Sequence, residues 1–215
     1  MRTALNANST RFCGKTGGHN DSSGFALIEL MISALILLAV SYAVFGVLID
    51  IQHTASYQSE IQSVLSSTQI AMQTVERYIR QSGNDPLNRG IGGITIISPQ
   101  EMRIQADLTG SEGPANPDKG DPDGDTDDSG ENVTIRFNGG TRSLEIVPAG
   151  GSPQIIASGI SDITFTYYNA VGGTAAAGSE VRKVGISISG TSLLPNPRTR
   201  QLFGVKISSD IQVST

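Results

Sequence analysis

Residues 24–49, GFALIELMISALILLAVSYAVFGVLI, constrain this chain more than any other stretch. After Gly24 come 25 residues that are nearly all apolar, and Glu29 is the single charge among them. As one helix they rise about 38 Å, more than the roughly 30 Å of a bilayer's hydrocarbon core. A carboxylate inside such a span costs about 2.5–3.5 kcal/mol on insertion scales, and a plain anchor gains nothing from it. The pattern predicts a membrane-spanning helix in which Glu29 meets a partner.

The flanks narrow the chemistry. Residues 1–24 are polar, with Arg2, Arg11 and Lys15 against Asp21. They show no apolar periodicity, and the positive charge places this end in the cytoplasm. An ordinary secretory signal puts its small-residue cleavage site after the apolar stretch; here Ser22, Ser23 and Gly24 precede it. Cys13 is the only cysteine, and His19 and His53 are the only histidines. That leaves almost no scope for a Cys/His zinc site or a cysteine nucleophile. A serine triad would have to use His53, on a helix beside the membrane. With a net charge of −5 and no basic patch, no phosphate-neutralising surface for nucleic acid is predicted.

The run Gly24-Phe25-Ala26-Leu27-Ile28-Glu29-Leu30-Met31-Ile32 resembles the processing motif of type IV prepilins and type II secretion pseudopilins. The resemblance implies cleavage between Gly24 and Phe25 by a prepilin peptidase, then N-methylation of Phe25. Glu29 becomes the fifth residue of the mature chain. In that family this carboxylate is thought to meet the N-terminal amine of an adjacent subunit during assembly. Cys13 and His19 would leave with residues 1–24. The mature chain would then have no cysteine, a departure from the many pilins that carry a C-terminal disulfide loop.

Beyond residue 49 the chain becomes amphipathic. Ile61, Val64, Leu65, Thr68, Met72, Val75 and Ile79 recur at spacings of three and four, one helical face. Gly83, followed by Asn84-Asp85-Pro86, supplies a stop. One helix over about 25–82 follows, with 25–49 in the membrane and 50–83 against a head. Gly46 sits in the membrane half, where it permits either local unwinding or close helix packing. From residue 91 the pattern turns to period two. Strands are predicted at 94–97, 102–106, 133–137, 143–147, 163–168, 181–189 and 202–208. Asn138-Gly139-Gly140 signals a tight hairpin. Pro195 and Pro197 bar the penultimate strand, ending near residue 189, from running past Leu194, leaving PNPRTR as a loop. The fold class is α+β: a long N-terminal helix packed on an antiparallel β head spanning 84–215. The segments 76–83 and 160–168 also resemble the minor pilins of the PilW and GspJ kinds.

Residues 107–131, DLTGSEGPANPDKGDPDGDTDDSGE, interrupt the strand pattern. Asp121, Asp123, Asp125 and Asp127 alternate as oxygen ligands do in a loop wrapped around calcium, with Glu131 near the closing position. Thr126 replaces the turn glycine of that template, Asn132 stands where its glutamate belongs, and no flanking helices are predicted. Two readings stand: a solvated acidic loop, or a calcium site.

The resemblance implies a minor pilin of a type IV pilus, contributing to its initiation or tip complex. Its partners would be the prepilin peptidase, other pilins and an inner-membrane assembly platform. It would start as a single-pass inner-membrane protein with a periplasmic head. It would be a substrate of an enzyme and not itself one, with calcium the only candidate cofactor. A type II secretion pseudopilin is the nearest alternative. A membrane-anchored, calcium-dependent binding module is the alternative of another class.

Overall fold

The computed structural model describes residues 22–110 and 120–213, with side chains from residue 26 onward. By its contacts the chain forms two units, Met1–Ile51 and Gln52–Thr215. Helix α1, Ser22–Gln81, contributes to both.

In the second unit the amphipathic pattern acts as its spacing predicts. Val64, Thr68, Met72, Val75 and Ile79 are buried, and Ala71 joins them on the same face; Ile61 and Leu65 are half-buried at its edge. The helix stops at Gly83, which takes a left-handed φ of 74°, a conformation open to glycine without steric cost. Its N–H does not close back on the helix. It donates to Gln105 O at 2.9 Å, while Asp107 N donates to Asn84 O at 2.8 Å. The helix exit is thus stitched onto the end of a strand.

Eight strands follow. In chain order they are β1 (Ile94–Ser98), β2 (Glu101–Gln105), β3 (Asn132–Asn138), β4 (Ser143–Pro148), β5 (Gln154–Ser158), β6 (Ile160–Tyr168), β7 (Lys183–Pro195) and β8 (Leu202–Gln212). The first five form an antiparallel meander and the last three a second antiparallel sheet. One apolar core takes Ala71, Met72, Val75 and Ile79 from α1. It takes Met102, Ile135 and Leu144 from the first sheet, and Ile163, Ile186 and Ile188 from the second. The α+β class is as the sequence predicts: one long helix packed on antiparallel sheets.

Three local expectations are corrected. β5 was not foreseen, because only Gly159 separates it from β6. At φ 76° that one residue turns the chain from the first sheet into the second. Val181 closes a 3-10 turn over Gly178–Glu180, so β7 begins at Lys183, and it runs to Pro195, well beyond 189. β3 and β4 do form the hairpin that Asn138-Gly139-Gly140 signals, with Asn138 paired to Ser143, but the turn is looser than a two-residue one. Asn138 Oδ1 accepts from Gly140 N (3.1 Å) and Thr141 N (3.4 Å), and the left-handed residue is Arg142 at φ 51°.

Two polar groups in the sheets carry predictions. Glu145 on β4 faces Arg136 on β3. It accepts from Asn138 Nδ2 at 2.8 Å and from Arg136 Nε and Nη2 at 3.0 and 2.9 Å. The Asn138 bond, with help from Arg136, holds its carboxyl below the ordinary value of 4.5. A depressed folded pKa means that the stabilisation is complete above pH 4.5 and is lost as pH falls through the lower folded value. Denaturation midpoints should fall on acidification below that point, and less steeply in Glu145→Gln. Tyr167 on β6 is 5% exposed, and its hydroxyl has no hydrogen-bond partner among the described residues. Burial pushes its phenol well above the ordinary value of 10. An unsatisfied buried hydroxyl costs about 1–3 kcal/mol, so Tyr167→Phe should leave the melting temperature unchanged or raise it.

Candidate functional site

The apolar half of α1 is a surface without a cover. In the first unit every large apolar side chain from Leu27 onward is exposed, from 46% at Leu48 to 83% at Tyr42. The helix's most apolar 18 residues have a mean hydropathy of 2.6, and none of that window is buried. Monomeric soluble proteins rarely expose contiguous apolar patches beyond a few hundred Å². The helix is long and apolar enough to span a membrane. It runs through Gly46 without a break, and a Cβ placed there would meet nothing within 4 Å.

Glu29 lies on this surface, exposed. Among the described residues no side chain forms an ion pair with it. Gly24 and Phe25 fall in the first turn of α1, and their side chains lie outside the described set. Cys13 and His19 precede the described residues altogether.

The acidic loop is built differently from the calcium template. Ala106 N donates to Glu131 O at 2.9 Å, which closes the loop at its base. Glu131 is 1% exposed. Its Oε1 accepts from Leu108 N (2.8 Å), Thr109 N (2.7 Å) and the Thr109 hydroxyl (3.4 Å), and its Oε2 from Asp128 N (3.3 Å). Its lone pairs serve the backbone. Asp125 N donates to Asp123 Oδ1 at 3.3 Å and Asp127 N to Asp125 Oδ1 at 2.9 Å. The i, i+2 spacing that resembles a wrapped cation is therefore also the spacing of successive Asx turns. Among the described residues no three carboxylate, histidine or cysteine side chains come together to hold a metal. Asp121, Asp123, Asp125, Asp127 and Glu131 are thus not gathered as one ligand set.

The loop also begins on an acid, Asp107. It is fully buried, and its Oδ2 accepts from Gly124 N at 3.0 Å. It pins the middle of the loop as Glu131 pins its base. Its position two residues beyond β2, level with the helix exit, was the only available signal.

A cavity of about 430 Å³ opens beside the helix exit, between Asp85, Asn88, Gly93, Gly178 and Val213. Asp85, its one acid, accepts from Arg89 N (2.8 Å), Gly90 N (2.7 Å) and Ile91 N (3.2 Å). These bonds, the one from Arg89 foremost, hold its carboxyl below its ordinary range. Both of its oxygens are committed to shaping the 85–91 loop, and among the described residues no second titratable group lines the cavity.

Compared with known proteins, the chain matches no family model and no curated protein.

Proposed function

We propose that the chain is a minor pilin subunit of a type IV pilus. It is made as a prepilin, cut between Gly24 and Phe25 and N-methylated on Phe25, and it assembles through α1. In this reading the apolar half of α1 rests in the inner membrane. It then moves into a filament core of like helices, where the neighbours cover its exposed surface. The head is displayed outside that core and contributes to the initiation or tip complex.

The observation that carries the reading is Glu29. It stands exposed on an apolar helix, its own chain offers no countercharge among the described residues, and Phe25 begins the segment four residues earlier. A carboxylate in a medium of low dielectric needs an opposite charge. A neighbouring subunit's freed amine would supply one at the helix end. Intact mass and N-terminal sequencing of the membrane-extracted protein test the reading. A methylated Phe25 start is expected, and an intact Met1 start would overturn it. A deletion that abolishes protein export while sparing pili would reassign the chain to the secretion pseudopilins.

A further inference from the structure

The hairpin joining β7 to β8 is an apolar, cationic tip on an acidic protein. Positions 190–206 carry Arg198, Arg200 and Lys206 and no acid, in a chain of net charge −5. Leu193, Leu194 and Leu202 are 69%, 47% and 54% exposed, beside the exposed Pro195 and Pro197. Arg198 and Arg200 form no ion pair among the described residues.

The tip is a built turn. Asn196 Oδ1 accepts from Arg198 N (2.8 Å) and Thr199 N (3.1 Å). Asn196 also exchanges backbone bonds, donating to Gln201 O (2.8 Å) and accepting from Arg200 N (2.9 Å). Below it, Ser192 Oγ donates to Leu194 O and accepts from Phe203 N, each at 2.9 Å. The leucines are therefore held outward by a fixed backbone.

The hairpin also has a direction within the head unit. Gly190 lies against Val64 and Thr68, and Leu193 N donates to Glu60 Oε1 at 2.7 Å. β7 thus travels along α1 toward residue 52. Residues 52–60 rise about 12 Å as helix. From Leu193 to the turn the hairpin extends a further ~10–13 Å. The tip therefore lies at the end of the head from which the chain continues into the apolar run.

We propose that this tip docks on an anionic phospholipid surface. Leu193, Leu194 and Leu202 enter the headgroup layer, and Arg198 and Arg200 pair with lipid phosphates. Apolar side chains flanked by arginine are the composition of interfacial membrane contacts. Docking would hold the head against the bilayer until the subunit is extracted. The inference rests on the membrane-span part of the preceding proposal and is independent of cleavage at Gly24.

The chain has no tryptophan, so single-tryptophan variants report position cleanly. Leu194→Trp and Leu202→Trp place the probe at the tip and Leu37→Trp in the apolar run. Val171→Trp, at a position 91% exposed, lies in the loop beyond the Tyr168–Lys183 end of the β6–β7 ladder. Each full-length variant is reconstituted into two sets of phosphatidylcholine–phosphatidylglycerol vesicles, one with acyl chains brominated near the headgroup and one near the chain terminus. Strong quenching is expected at 194 and 202 from the shallow bromines and at 37 from the deep ones, and none at 171 from either. Adding Arg198→Glu and Arg200→Glu should lower the docked-to-free ratio at the tip by roughly tenfold or more. Quenching at 37 without quenching at 194 and 202 would overturn the docking and leave the span intact. No quenching at 37 would overturn both. A tip signal indifferent to the charge reversals would remove the phosphate pairing. Burial of the tip tryptophans only within filaments would assign the surface to a protein neighbour and overturn the lipid proposal.

Discussion

If the chain is the pilin proposed above, Glu29→Ala is expected to enter the membrane and to be cut at Gly24, yet to reach filaments at a small fraction of the parental level. The two halves of this result have opposite physical signs. Removing the carboxylate relieves about 2.5–3.5 kcal/mol of insertion cost, so the membrane form gains. In the proposed assembled state the neighbour's amine would lose its countercharge in a medium of low dielectric. Breaking one side of a buried pair costs about 3–5 kcal/mol, which corresponds to a hundredfold or greater shift in the assembly equilibrium. Glu29→Gln keeps the side-chain volume and removes the charge, and it should fail as alanine does. Immunoblots of sheared filaments against the membrane fraction read the two pools separately. Normal incorporation of either variant would remove Glu29 as the assembly contact.

The sequence and the structure agree where a single periodicity dominates. Val64, Thr68, Met72, Val75 and Ile79 recur at helical spacing, and those side chains are buried against the sheets. A helix of that length averages its signal over many turns, so one irregular position does not disturb it. Strand pairs in the first sheet were legible for the related reason that alternation is short but repeated. Met102 and Ile104 are buried on β2, and Val133 and Ile135 on β3, with Met102 paired to Ile135 and Ile104 to Val133.

Illegible features depend on a single residue's backbone or on contacts distant in sequence. Gly159 divides β5 from β6 by its φ alone, and no pattern of neighbours announces that. The hairpin at Asn138-Gly139-Gly140 was legible, but its left-handed residue is Arg142 at φ 51°, a backbone choice that no residue pattern announces. The extension of β7 beyond residue 189 follows from its pairing with β8, which lasts to Pro195 opposite Leu202. The candidate site divides in the same way. Glu29 draws notice in the sequence because a charge within an apolar run is conspicuous in one dimension, and the structure adds that it is exposed on α1. The role of Glu131 was not, since its partners Leu108 and Thr109 lie more than twenty positions away. From sequence alone its carboxylate was indistinguishable from a cation ligand.

That ambiguity makes Glu131→Ala the most informative change in the head. The side chain is nearly fully buried, and it accepts from the backbone N–H groups of Leu108, Thr109 and Asp128. Truncation leaves these donors without the acceptor that holds them and opens the base of the loop where it meets β2 and β3. Hydrogen bonds to a charged acceptor contribute about 1.5–3 kcal/mol each, and a buried donor left unsatisfied costs about 1–3 kcal/mol. Allowing for relaxation of the loop, the expected loss is about 3–5 kcal/mol, at the upper end for single substitutions. For a unit of this size the melting temperature should fall by roughly 10 °C. Glu131→Gln keeps one acceptor and presents an amide N–H₂ to the remaining donors, so it should recover only part of the loss. Thermal melts of the detergent-solubilised full chain, run with millimolar calcium and with chelator, separate the two roles. A backbone clamp predicts the same deficit in both conditions. A calcium ligand predicts a deficit that grows when calcium is supplied, because only the parent would gain stability from the ion. A purely solvated loop predicts a change within about 0.5 kcal/mol in either condition, and that result would strip Glu131 of its structural role.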